Sequence, residues 1–235
     1  MKNFFLTAAV AAVSLTSCMA QDKVKQPRQL SGFEVVSSSG GIDVVLRQGS
    51  NTSVVVEASP EAQKHLVAKV EGKTLRIGWE SNYSWRNLLT SGRKANVYIT
   101  LPRLTGLSVS GGADAKGEST FSADDFRIDA SGGSDVKLSI SAKTLSVQAS
   151  GGSDVSLSGR AERQKADVSG GSDYNGFDLQ STTATVSASG GSDVKVSVNG
   201  EISSDASGGS DVRYKGSARI ASSNSSGGGS VRRVQ

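Results

Sequence analysis

The sequence predicts an all-β chain wound into a parallel β-helix, a solenoid with coils of about 20 residues. Three observations carry that expectation. The phrase Ser-Gly-Gly-Ser-Asp-Val returns at nearly constant spacing, apolar residues alternate on both sides of it, and half of the 28 glycines sit in its Gly-Gly pairs. A fixed period of this length marks a unit that cannot bury its own apolar side and must stack on its neighbours.

At the front of the chain, Lys2 precedes an apolar stretch from Phe4 to Val13 and then LTSCMAQ, which gives residues 1–17 the zones of a bacterial export signal. The stretch is too short for a stable membrane span. Leu-Thr-Ser-Cys has the form of a lipobox, which would make Cys18 the lipidated first residue of the mature protein. Cys18 and Ala20 also have the spacing of ordinary cleavage after Ala20, so both routes of export stand. Residues 18–30 read as a polar tether. Cys18 is the only cysteine, so no internal disulfide is available and stability must come from packing. Without Lys2 the chain carries 25 basic and 22 acidic residues, a net charge near +3, scattered along its length. That is a solvated surface and not a nucleic-acid footprint.

From Arg28 to Thr105 the repeat is weaker, but strands are expected at Phe33–Val36, Ile42–Leu46, Ser53–Glu57, Thr74–Trp79 and Asn96–Leu101, with Glu71-Gly72-Lys73 as a tight turn. Ser59 as N-cap and Pro60 at the first helical position predict a short helix. SSGGIDVVL at residue 38 follows the same Gly-Gly-x-Asp-Val grammar as the later repeats. The segment therefore reads as part of one β-helix domain over 31–235, capping or continuing the regular coils at 110–231. Trp79, Tyr83 and Trp85 lie in WESNYSWRNLLTSG, near Asn82 and Arg86. They read as a hydrophobic lid on the solenoid end or as a contact patch for carbohydrate or protein.

In the regular region the acid of each repeat falls at Asp114, Asp135, Asp154, Asp173, Asp193 and Asp211, in steps of 21, 19, 19, 20 and 18 residues. A degenerate copy, SGGGSV, puts Ser230 in the acid position. Val136, Leu138 and Ile140 alternate after one acid, and Leu145, Val147 and Ala149 before the next Ser-Gly-Gly. Period two means strands, so each coil holds at least two strands and two turns. Stacked in parallel, Val136, Val155, Tyr174, Val194, Val212 and Val231 form one inward ladder, and Ala130, Ala149, Val168, Ala188 and Ala206 a narrower one. Gly-Gly marks the corner, where a tight turn needs positive φ or close backbone approach. Each glycine costs roughly 0.5–1 kcal/mol in backbone entropy, against roughly 1.5–3 kcal/mol for each buried Val or Leu. Stacking wins once several coils are present.

The six aspartates form a structural ladder. Lys116, Lys137, Lys195, Arg213 and Arg232 stand two residues after an acid position, which favours a self-neutralising surface over a cation site. Asp154 and Asp173 are the neighbouring pair without such a cation, and the place for a divalent ion if the ladder held one. The expectation is that it holds none, the acids accepting backbone N–H groups at their own corners as in Asx-turns.

Chemistry of turnover is hard to place. His65 is the only histidine and falls in the short helix beside Lys64, and no Cys–His, Ser–His–Asp or His/Cys metal arrangement can be assembled. No cofactor is expected. The Gly-Gly corners lack the Gly-Lys-Ser/Thr of a phosphate loop.

FEVVSSSGGIDVVLRQG, VYITLPRLTGLSVSGGADAKG and the SGGSDV series together resemble the bacterial envelope family described as "putative auto-transporter adhesin, head GIN domain", over about residues 31–220. The Gly-Ile-Asn of that name stands here as Gly41-Ile42-Asp43. The resemblance implies a right-handed parallel β-helix in a secreted or lipid-anchored protein and brings no catalytic residues. The expected function is a non-enzymatic, adhesin-like cell-envelope lipoprotein, held to the membrane through Cys18 at the outer membrane or cell surface, or else periplasmic or secreted. Its expected contacts are surface glycans or envelope proteins, with no nucleic acid. The alternatives are a carbohydrate-active β-helix enzyme and a periplasmic protein-binding scaffold.

Overall fold

A computed structural model describes residues 23–81 and 94–235. Among these residues sixteen strands join one continuous sheet that coils into a β-solenoid of about seven turns, with coils of about 19 residues. The long strands β9 (Ala115–Ser131), β10 (Asp135–Ser150), β11 (Asp154–Val168), β12 (Asp173–Ala188) and β13 (Asp193–Ala206) stack in parallel in sequence order. β14 (Asp211–Lys215) and β16 (Ser230–Arg233) continue one face beyond β13, and β15 (Arg219–Ser225) continues the other.

Each long strand turns a corner without leaving the sheet, and the burial pattern shows where. In β10 the buried positions are 136, 138, 140 and 142, then 145, 147 and 149. The parity slips at Lys143–Thr144, where two successive side chains face out. β11 does the same at Glu162–Arg163. The Ser-Gly-Gly corner between strands is sharper. Gly132 and Gly133 have φ of 66° and 72°, a left-handed pair that only glycine adopts without strain. A Cβ on Gly132 would also stand 3.2 Å from the backbone nitrogen of Gly111 in the coil before it.

Both predicted inward ladders are in register. Val136, Val155, Tyr174, Val194 and Val212 are paired coil to coil and buried, with Val231 half-buried at the last coil. Tyr174 fits a valine rank because Gly176 leaves room: a Cβ there would lie 2.7 Å from the phenolic oxygen.

The N-terminal strands both continue and cap the stack. β2 (Val35–Ser39) and β3 (Ile42–Gln48) form a complete coil around the Gly40–Gly41 corner. It is not the outermost one. β6 (Thr74–Trp79) and β7 (Ala95–Leu101) pair on its outer side, while β8 (Gly106–Ser110) and β9 pair on its inner side. The chain thus places a later coil outside an earlier one. The outer edges of β6 and β7 are closed by antiparallel partners, β5 (Leu66–Glu71) on one face and β4 (Ser53–Ala58) on the other. Reversing strand direction needs only short connections, which ends the parallel stack and hides its edge.

Between β4 and β5 runs α1 (Pro60–His65), where the Ser59 hydroxyl accepts the Ala62 N–H at 3.2 Å as the N-cap, and Ala62 and Gln63 are buried. The expected tether is shorter than 18–30, because β1 (Val24–Arg28) pairs antiparallel with β4. Arg28 Nη2 donates to Gln63 Oε1 at 2.9 Å, and Gln63 Nε2 donates to the carbonyls of Val24 and Val56. The polar composition of VKQPR conceals an edge strand whose backbone and side chains find partners across the cap.

Candidate functional site

The aspartate ladder is present and in register: Asp135, Asp154, Asp173, Asp193 and Asp211 pair in succession, and Ser230 takes the acid place after Asp211. The bonding differs from the Asx-turn expectation. Asp114 Oδ1 accepts the N–H of Asp135 at 3.1 Å, and Asp173 Oδ1 accepts that of Asp193 at 3.3 Å. Each of these carboxylates reaches forward to the next coil and not back into its own corner. Asp154 accepts no hydrogen bond among the described residues. Its N–H donates to the Ser134 carbonyl.

Neutralisation is also uneven. Arg213 pairs with Asp211 at 2.8 Å and Asp193 at 3.6 Å, and Arg232 with Asp211 at 3.2 Å. The Ser230 hydroxyl first, and then these cations, hold the Asp211 carboxyl below its usual range. Among the described residues Lys116, Lys137 and Lys195 form no ion pair with the ladder. Burial, then Asp114 and Asp154 on either side, push the Asp135 carboxyl up. Among the described residues no group of three or more His, Cys, Asp and Glu side chains is placed to hold a metal.

Four of the corners are locked by the serine before the acid. Ser134, Ser153, Ser192 and Ser210 are almost fully buried, and each Oγ donates to the carbonyl three residues earlier at 2.8–3.0 Å. Ser153 Oγ also accepts the Ser134 N–H of the previous coil at 3.3 Å. The available signal was the letter itself, Ser in five of the seven copies, with Ala113 and Gly229 only in the first and the last.

Of the aromatic segment, Trp79 ends β6 and packs half-buried over the Gly40 corner, its Nε1 donating to the Gly40 carbonyl at 2.8 Å. Tyr83, Trp85 and the lipidation candidate Cys18 lie outside the described residues. His65 lies between two acids, Nδ1 at 3.1 Å from Glu80 and Nε2 at 3.4 Å from Glu61.

The second corners build a groove that runs along the solenoid axis. Its floor is the ladder Ala123, Ala142, Ala161 and Ser181. One wall carries Ser122, Ser141, Arg160 and Gln180, one per coil, and the other Asp124, Lys143, Glu162 and Thr182. Arg103 joins beside Asp124 and Asn199 lies at the far end. Lys143 Nζ meets Asp124 Oδ1 at 3.0 Å and holds that carboxyl below its ordinary range. Arg160 Nε donates to Ser141 Oγ at 3.0 Å. The groove is polar, open and periodic.

The family described as "Putative auto-transporter adhesin, head GIN domain" matches residues 32–218. The chain belongs to this family. Solved structures agree on the fold. A "putative adhesin" from Bacteroides fragilis is 21% identical with a TM-score of 0.84, over 92% of this chain and 98% of that one. A "putative lipid binding protein" from Parabacteroides distasonis is 19% identical with a TM-score of 0.71, and a "putative adhesin" from Parabacteroides merdae 15% identical with a TM-score of 0.65, both over the same shares. Nothing among curated proteins matches the chain.

In this head GIN domain the corner residue Asp43 does the work that an Asn carbonyl would do, its Oδ1 accepting the Asp114 N–H at 3.1 Å. The carboxylate adds charge, however: burial pushes the Asp43 carboxyl up, the hydrogen bond from the Asp114 N–H works against this, and the Asp114 charge adds to it.

Proposed function

We propose that the chain is a non-enzymatic, adhesin-like module of the cell surface, held by a lipid at Cys18. The observation that carries this reading is the groove, which exposes hydroxyl, amide and charged groups in step over four coils. Such a surface suits a long partner held by many weak contacts better than a small substrate enclosed for reaction. The family description supports an adhesin role at the surface. The anchor would sit close to the cap, because β1 already begins at Val24 and five residues span at most roughly 18 Å. The partners in this reading are surface glycans or envelope proteins.

The reading is tested by cell fractionation and by crosslinking in the native envelope. Cys18→Ala should move the protein from membranes to the soluble fraction, since stable anchoring by acyl chains is lost. Wild-type protein found soluble, starting at Gln21, would remove the anchor. Crosslinking should capture surface components on wild-type cells, and their absence would remove the adhesin role.

An enzymatic reading has one feature in its favour. Asp124 and Glu162 stand two coils apart, roughly 9.6 Å from the strand spacing, near the upper limit for an inverting glycosidase pair. Lys143 opposes it by keeping Asp124 ionised, which is wrong for a proton donor. New reducing ends released from a polysaccharide panel would favour this alternative.

A further inference from the structure

We infer that the groove over Ala123, Ala142 and Ala161 binds a linear acidic polysaccharide, through guanidinium contacts from Arg103 and Arg160 to carboxylate or sulfate groups on sugars separated along its length. The inference deepens the adhesin reading by naming its ligand class.

Charge within the groove supports it. Three cations face two acids there: Arg103, Lys143 and Arg160 against Asp124 and Glu162. Lys143 is committed to Asp124, and Glu162 approaches Arg163 outside the lining at 4.0 Å. Among the described residues neither Arg103 nor Arg160 has a carboxylate within ion-pair distance. The bond from Arg160 Nε to Ser141 fixes the base of the guanidinium and leaves its two terminal nitrogens available for a bidentate contact. A paired guanidinium would be surface decoration. Two that lie outside ion-pair distance of any acid among the described residues, in one groove, attract an anion.

Geometry selects the polymer. Polar groups recur at the coil spacing of about 4.8 Å, close to the length of one pyranose unit, and along one wall they run hydroxyl, hydroxyl, guanidinium and amide. The alanine floor accepts the apolar face of a sugar ring without blocking the path. A peptide could not extend the sheet here, because the strands along this corner already pair on both sides. Nucleic acid is disfavoured by Asp124 and Glu162 and by the absence, among the described residues, of any aromatic ring in the lining for base stacking.

The test uses the mature protein and affinity electrophoresis through gels containing polygalacturonate, chondroitin sulfate or neutral dextran. Wild type should be retarded by one or both acidic polymers and not by dextran, with retardation weakening as salt rises. Retention by polygalacturonate alone assigns a carboxylate ligand, and by chondroitin sulfate alone a sulfate ligand. Arg103→Ser with Arg160→Ser should weaken binding at least tenfold with an unchanged melting temperature, while Arg76→Ser, on another face, should change it less than twofold. Equal binding to dextran, no binding to any polymer, or full binding by the double variant would overturn the inference. Crosslinked surface partners on cells would still stand in those cases, so the adhesin role and its ligand class fail separately.

Discussion

The Tyr174 hydroxyl donates to Gln164 Oε1 at 3.0 Å in the interior of the solenoid. Gln164 Nε2 passes the chain on to Ser181 Oγ at 2.6 Å, which donates to the Ser197 carbonyl at 2.9 Å. The network crosses three coils, and burial drives the Tyr174 phenol far above its usual range, so it stays a neutral donor. Tyr174→Phe should cost about 1–3 kcal/mol by leaving the Gln164 oxygen unpaired. At this size that is a fall of roughly 2–4 °C in Tm per kcal/mol. Tyr174→Phe combined with Gln164→Leu should recover part of the loss, because both partners are then apolar. A double variant less stable than Tyr174→Phe in thermal melts would contradict the network.

Ser153→Ala removes the donor to the Ser150 carbonyl and the acceptor of the Ser134 N–H, both in the buried corner. The expected loss is about 1–3 kcal/mol. Asp154→Ala, one residue on, should change stability by less than ~0.5 kcal/mol, as for a surface site without partners. Denaturant titration of the two variants reverses the ranking expected if the acid closed the turn.

Glycine pairs are not equivalent along the stack. Gly133 has φ of 72° and an open Cβ direction, whereas Gly191 has the same open direction without positive φ. Gly133→Ala should destabilise by roughly 1–2 kcal/mol through left-handed strain. Gly191→Ala should be neutral or stabilise by roughly 0.4–1 kcal/mol through the unfolded chain. Equal effects in paired melts would show that the corners share one backbone conformation.

The raised carboxyl of Asp135 has a defined pH signature. A carboxyl pushed above its ordinary 3.8 favours the protonated form in the folded state. Its contribution to stability is complete below that pH and is lost as pH rises through the folded value. Asp135→Asn should therefore stabilise the protein at pH 7, by less than ~1 kcal/mol since the group is mostly solvated, and leave it unchanged at pH 3. A variant less stable than wild type at pH 7 would mean that the carboxylate is favourably held.

The sequence by itself determined the coil. Its period, the Gly-Gly corners, the two inward ladders and the rank of acids follow from residue identity alone, because in a parallel stack each residue lies over its counterpart one repeat earlier. Val136 over Ala115 and Asp154 over Asp135 need no information beyond alignment of the repeats. Only the tertiary structure decided what lies off that period. The coil at 35–48 sits inside β6 and β7, and VKQPR pairs at the edge, because antiparallel closure depends on which strand edges remain open after stacking. The bond from Asp114 runs forward to the next coil, Arg213 reaches two acids, and the Lys116, Lys137 and Lys195 ammonium groups reach none, because side-chain reach is a distance in space and not a spacing in sequence. The groove has the same origin: Arg103 precedes the repeats in the chain, and only the folded stack sets it beside Asp124 at the head of the alanine ladder.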